Sequence, residues 1–253
     1  MEFSIHRRKT STIIWIISIA IFLCNDGFRS SIIEAQKITC NTATEKEMDN
    51  VMARIMTVGT DRKFPTDKDE MKAYCKEHVR LVAKLENYKN LCLKNQAKSV
   101  VAVIIFSIKQ VTNTYCKHLN SKKTAALIDS TVCANLATND YHKCNKQYIQ
   151  KLIASQNMKQ GRDRFVQTCC GYFQIFDCVR AEAAKYPECT PERVELNVEY
   201  INTFFENAIN TACGEYNNDS DKCDSSKIPA VKKTKKPLPK SFFKPLVNLI
   251  SNI

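Results

Sequence analysis

Cysteine and histidine are the residue types in this chain whose spacing could hold a metal ion. Cys116 lies two residues before His118, and His142 lies two residues before Cys144. Neither pair has the spacing of a zinc finger, and cysteines that are oxidised to disulfides cannot ligate zinc. We interpret both pairs as disulfide cysteines beside surface histidines. We therefore expect no metal site and no cofactor.

A vicinal cysteine pair offers a second possible site. Cys169 and Cys170, followed by Cys178, invite comparison with the Cys-Cys-x-x-His-Asp helix of secreted phospholipases A2, but Phe173 occupies the histidine position and no glycine-rich calcium loop is present. That chemistry is rejected. Adjacent cysteines rarely bond to each other because the small ring strains the peptide. We therefore predict that Cys169 and Cys170 form disulfides with two different elements.

No short catalytic motif supports an enzyme. The sequence contains no GxSxG, HExxH, GxGxxG or Walker pattern. Acidic residues are mixed with lysines along helix surfaces, so no pair stands out as general acid and base. A Cys–His nucleophile would need a free thiol, which an even number of mature cysteines disfavours. We predict no catalytic residue and a non-enzymatic protein.

The amino terminus and the cysteines both indicate an oxidising compartment. Residues 1–35 have the basic start and the short apolar run of a secretory signal, with cleavage expected between positions 24 and 35. The alternative, an uncleaved signal anchor, is disfavoured because the run 13–23 is too short to span a bilayer. Cleavage removes Cys24 and leaves an even number of cysteines for disulfides in a secreted, extracellular protein. The predicted disulfide cysteines are Cys40, Cys75, Cys92, Cys116, Cys133, Cys144, Cys169, Cys170, Cys178, Cys189, Cys213 and Cys223.

The composition favours an all-α fold. Only 5 glycines occur, whereas sheets and phosphate-binding loops need glycine at their turns. The mature chain is long enough to bury a sizeable apolar core. We predict a disulfide-stapled multi-helix bundle, formed as a single domain by residues 36–223. Apolar residues recur at helical spacing over 44–58, 66–94, 97–117, 121–136, 139–155, 162–186 and 191–213.

The stretch 97–117 is the most apolar part of the mature chain. Apolar residues follow a helical stripe, and Val103 and Phe106 lie off it, which is typical of a helix in the middle of a bundle. The simplest explanation is a core helix. The alternative is a helix that lines the site of an apolar ligand. The candidate ligand-lining residues are Val101, Ile104, Ile105 and Ile108.

The carboxyl-terminal residues 224–253 differ in composition from the rest. Seven lysines and one aspartate give this Lys/Pro-rich tail +6 of the net charge of +12. The body has no basic run interleaved with aromatic residues, so we expect no nucleic-acid partner. The tail either touches an anionic membrane or partner, or is a linker whose short helix, limited by Pro245, folds back on the body. Asn218 begins a glycosylation sequon just before the tail.

Several cysteine-containing segments resemble those of a known group of proteins. These are LENYKNLC at 85–92, the vicinal pair in TCCGYFQIFDCV at 168–179, the C-x10-C spacing after it, and a helix ending in TACGEY at 211–216. Over about residues 70–216 they resemble secreted, cysteine-rich, all-helical arthropod proteins, similar in style to insect haemolymph glycoproteins and the nematode secreted domain of unknown function. This chain lacks the cysteine that such proteins often carry near Lys84. The resemblance implies an extracellular helical domain with several disulfides and transfers no catalytic residue.

Two functions are compatible with these patterns. The leading hypothesis is a secreted, non-enzymatic protein that binds a small apolar ligand between helices, beside residues 97–113. The alternative is a surface-acting effector or defence protein that uses the cationic tail on anionic membranes or partners.

Overall fold

Helices form where apolar residues recur at helical spacing. The computed structural model describes residues 38–159, 161–216, 220–224, 230–231, 234 and 236–251; the expected signal segment and Asn218 lie outside them. Within that part of the chain all regular structure is helical, which confirms the predicted all-α fold. The helices are α1 (Thr42–Met56), α2 (Lys68–Cys92), α3 (Asn95–Cys116), α4 (Lys122–Leu136), α5 (Thr138–Gln156), α6 (Arg162–Phe165), α7 (Gly171–Ala183), α8 (Pro191–Cys213) and α9 (Phe243–Ser251).

Local side-chain caps set several helix starts. Thr190 accepts a hydrogen bond from the backbone N–H of Arg193 at 3.4 Å, and Pro191 is the first residue of α8. This is the pattern expected for a threonine cap followed by proline. At α1 the cap is Asn41, whose Oδ1 accepts from the N–H of Thr44 at 3.0 Å. The helix therefore begins earlier than its apolar stripe.

The predicted helix over 162–186 is not uniform. A π-helical segment, Val166–Cys170, separates α6 from α7, and α7 ends at Ala183. A π-turn widens the backbone by one residue and occurs frequently at functional sites. The segment contains both vicinal cysteines, so two disulfides start from it.

Six disulfides link the twelve predicted cysteines. Cys169 bonds to Cys213 at the end of α8, and Cys170 bonds to Cys223. The prediction that the vicinal pair binds two different elements is therefore confirmed. The other pairs are Cys40–Cys92, Cys75–Cys116, Cys133–Cys189 and Cys144–Cys178.

Helices α3 and α8 form the centre of the bundle. They pack against each other; α3 also contacts α2 and α9, and α8 contacts α4 and α7. Of the described helices, α3 is the one that is long and apolar enough to cross a bilayer by length and composition alone. In this structure α3 packs against α2, α8 and α9.

The apolar end of the tail is part of the core. Phe242 and Phe243 are each 2% exposed, and α9 packs against α1, α3 and α5. The ring of Phe242 lies 4.7 Å from that of Phe205 and 5.3 Å from that of Tyr148. The sequence pattern predicts that the domain ends at residue 223, but the domain extends to α9. The reason is that a short amphipathic helix follows the lysine-rich stretch and buries its apolar face.

Candidate apolar ligand site

An apolar cavity of about 180 Å³ lies between α3, the α6–π segment, α8 and α9. Its walls include the buried Ile104, Phe205 and Ile209, whereas Gly161, Phe165 and Ala212 are exposed. The cavity is therefore reachable from the surface. The residues that line it are Val100, Ile104, Gly161, Arg164, Phe165, Thr168, Cys169, Phe205, Ala208, Ile209, Ala212, Cys213, Leu246, Leu249 and Ile250.

Small side chains on α8 explain why this space is not filled. Ala208 and Ala212 are four residues apart and both line the cavity. On a helix, residues at this spacing lie on the same face, one turn apart. Protein interiors are normally close-packed, so alanines facing the side chains of two neighbouring helices leave a gap that those neighbours do not close. The disulfide of Cys169 with Cys213 holds the π segment beside this part of α8.

One of the four predicted ligand-lining residues reaches the cavity. Ile104 is 1% exposed and forms part of its wall. Val101, Ile105 and Ile108 are also buried, but they pack into the core outside the cavity lining. Val100, which sequence reasoning missed, lines it instead. The sequence spacing could have identified Val100, because Val100 and Ile104 are four residues apart and share a helix face.

Two polar side chains interrupt the apolar lining. Arg164 is 9% exposed, and its Nη2 donates a hydrogen bond to the carbonyl oxygen of Leu249 at 3.0 Å. Thr168 is 9% exposed, and its hydroxyl has no hydrogen-bond partner among the described residues. The cavity can thus hold an apolar group and offers hydrogen-bond donors at one part of its wall.

The cysteines of the two Cys–His pairs are bonded to other cysteines, as predicted. Cys116 and Cys144 are both in disulfides. His118 is exposed as predicted, but His142 is half-buried, and burial together with the charge of Lys146 lowers its pKa. In the described part of the chain no three His, Cys, Asp or Glu side chains come close enough to hold a metal ion.

A second, polar cleft lies on another part of the surface. It has a volume of about 690 Å³, and Asp61 is the one carboxylate among its lining residues. Exposed lysines line it at Lys63, Lys146 and Lys240, the last of which ends the Lys/Pro-rich stretch of the tail. The cleft therefore has an excess of positive charge.

Comparison with known proteins identifies no relative of this chain, so the site is interpreted from its own chemistry. The sequence matches no protein-family model, no curated protein and no solved structure.

Proposed function

We propose that this protein is an extracellular, non-enzymatic binding protein that holds a small apolar ligand in the cavity between α3, the π segment, α8 and α9. The observation that carries the proposal is the cavity itself, whose lining is apolar apart from Arg164 and Thr168. Spaces between the helices of a bundle are common ligand sites. Six disulfides are compatible with an extracellular location.

The cavity volume limits the size of the ligand's buried part. An apolar cavity of about 150 Å³ is large enough for benzene, so the buried part of the ligand is expected to have about six to eight carbon atoms.

A variant that fills the cavity tests the proposal. We expect Ala208→Phe to weaken the binding of 1-octanol at least tenfold, because the added ring occupies the cavity. Isothermal titration calorimetry of the purified mature protein measures this. Thr211→Phe is the matched control, since Thr211 is an exposed residue of α8 outside the lining. Absence of octanol binding to the unmodified protein, or equal binding by Ala208→Phe once near-ultraviolet circular dichroism shows that it is folded, would contradict the proposal.

A second candidate function, binding of an anionic partner, is favoured by the polar cleft. Lys63, Lys146 and Lys240 converge there, and the lysines at 232, 233, 235 and 236 immediately precede Lys240 in sequence. The apolar face of α9 is buried, so this candidate rests on charge and not on insertion into a bilayer. The partner it fits is an anionic polymer.

Replacement of the cleft lysines tests this candidate. We expect the triple change of Lys63, Lys146 and Lys240 to serine to lower the salt concentration that elutes the protein from a dextran sulfate column, because fewer counterions are displaced on binding. The matched control changes three exposed lysines elsewhere, Lys72, Lys76 and Lys117, to serine. Equal elution of the two triple variants would show that overall charge, and not the cleft, is responsible. Stronger retention on phosphatidylserine vesicles than on dextran sulfate would point to a membrane instead.

A further inference from the structure

We propose that the ligand of the apolar cavity is a medium-chain carboxylate, and that Arg164 and Thr168 bind its carboxylate group. This inference rests on the proposed ligand-binding function and specifies the class of ligand.

Arg164 provides a buried positive charge at the cavity wall. Its hydrogen bond at 3.0 Å goes to the main-chain carbonyl of Leu249, and no carboxylate in the described part of the chain forms an ion pair with it. A buried charge without an opposite charge is costly. A guanidinium has five N–H donors and binds a planar carboxylate through two of them. The carbonyl of Leu249 accepts from Nη2, and a ligand carboxylate can bind the donors that remain.

Thr168 adds an unsatisfied donor four residues further along the same helical segment. Threonine hydroxyls inside helices usually donate to the carbonyl one turn earlier. Thr203 and Thr211 of α8 do so at 2.7 and 2.8 Å. The hydroxyl of Thr168 is buried with no such partner among the described residues, and Thr168 lies in the π-helical segment, where the turn is wider. A buried donor of this kind costs free energy until an acceptor reaches it.

The remainder of the lining selects an alkyl chain. The other lining residues are mainly aliphatic and aromatic, and Ile104, Phe205 and Leu246 are buried contributions from three helices. A cavity of about 180 Å³ accommodates about six to eight carbon atoms by comparison with one of about 150 Å³ that holds benzene. Octanoate therefore matches both the volume and the charge of the site. The purely structural alternative is that Arg164 only holds the end of α9 through the Leu249 carbonyl.

Octanoate and 1-octanol, which have the same alkyl chain, test the inference by calorimetry at neutral pH. We expect octanoate to bind the unmodified protein at least tenfold more tightly than octanol. Arg164→Met should abolish this preference, and Thr168→Val should weaken octanoate binding two- to tenfold. Arg162→Met, a change at an exposed arginine outside the lining, is the matched control and should keep the preference.

Each outcome separates this inference from the proposed function. If octanol does not bind the unmodified protein, the proposed function fails. If both bind equally to the unmodified protein, or if Arg164→Met keeps the preference, the cavity binds apolar ligands but the carboxylate assignment is wrong.

A measurement on the unmodified protein covers the case in which Arg164→Met does not fold. The carbon-13 shift of carboxyl-labelled octanoate, followed against pH, should show a bound pKa below that of free octanoic acid, because a guanidinium favours the charged form. A bound pKa above the free value would overturn the assignment, since burial in an apolar cavity without a positive charge raises it.

Discussion

At the residue scale, His78 is a histidine that the fold keeps neutral. It is 1% exposed, and neither ring nitrogen has a hydrogen-bond partner among the described residues. Its ring lies 5.5 Å from that of Tyr74 and 6.0 Å from that of Phe204. Burial, followed by the positive charge of Arg62, lowers its pKa from 6.5 to about 4, although Glu77 acts in the opposite direction. The helical spacing of apolar residues over 66–94 places His78 on the buried face of α2, but it does not indicate how His78 titrates.

The low pKa makes the protein less stable in mild acid. The unfolded chain binds a proton at His78 below about pH 6.5, whereas the folded chain does so only below about pH 4. Stability is therefore lost as the pH falls from 6.5 to 4, by about 3 kcal/mol in all. We expect His78→Phe to reduce the loss in free energy of unfolding between pH 7 and pH 4.5 by about 2–3 kcal/mol.

Denaturant titrations at pH 7 and pH 4.5 measure this loss for each protein. Subtracting the free energies of unfolding at the two pH values removes any effect of the substitution on packing that is independent of pH. Glu77 is present in both proteins, so the contribution of its lowered pKa cancels in the comparison. His118→Gln, at an exposed histidine, should behave as the unmodified protein does. An unchanged pH dependence in His78→Phe would refute the assignment.

At the element scale, the pattern of one helix predicts which face is buried but not what that face meets. The stripe on α3 is buried as its spacing requires, with Val101 and Ile108 at 0% exposure. The cavity nevertheless lies against Val100 and Ile104, because its position depends on the small residues Ala208 and Ala212 of α8. These residues are more than 100 positions away in the sequence. No local periodicity connects them to α3.

The average composition of the tail, residues 224–253, does not reveal the short helix α9 at its end. Residues 224–253 contain seven lysines, so the segment as a whole predicts a basic tail. Its last part nevertheless forms α9, in which Phe243, Leu246 and Leu249 are 2–6% exposed. The expected short helix that folds back on the body is the arrangement observed. The sequence does not predict the π-helical segment, because the residues in it suit an ordinary α-helix equally well.

At the scale of the whole molecule, disulfides fasten every part of the bundle except its last helix. The last cysteine is Cys223, so α9 is held by non-covalent contacts alone. Among them, Asn145 donates to the carbonyl of Lys240 at 3.0 Å and Gln156 to that of Pro245 at 2.9 Å. Because α9 forms one wall of the cavity, the ligand site depends on the element that no cross-link secures.

Asp49 of α1 forms hydrogen bonds with the residues that precede α9. It is 4% exposed, and its carboxylate accepts hydrogen bonds from the N–H of Lys240 at 2.7 Å and from the N–H and hydroxyl of Ser241 at 3.0 and 2.7 Å. These residues are about 190 positions apart in the sequence. The contact therefore places the start of α9 against α1.

Removal of this carboxylate should loosen α9 and leave the disulfide-linked helices folded. We expect Asp49→Ala to lower the free energy of unfolding by about 2–4 kcal/mol, since buried donors lose their acceptor. It should also speed trypsin cleavage after Lys240 and weaken octanol binding, as the cavity loses a wall. Cleavage kinetics followed by mass spectrometry measure this, with the exposed Asp61→Ala as control. Equal cleavage rates in the two variants would mean that the apolar contacts of Phe242, Phe243 and Leu246 dock α9 without Asp49.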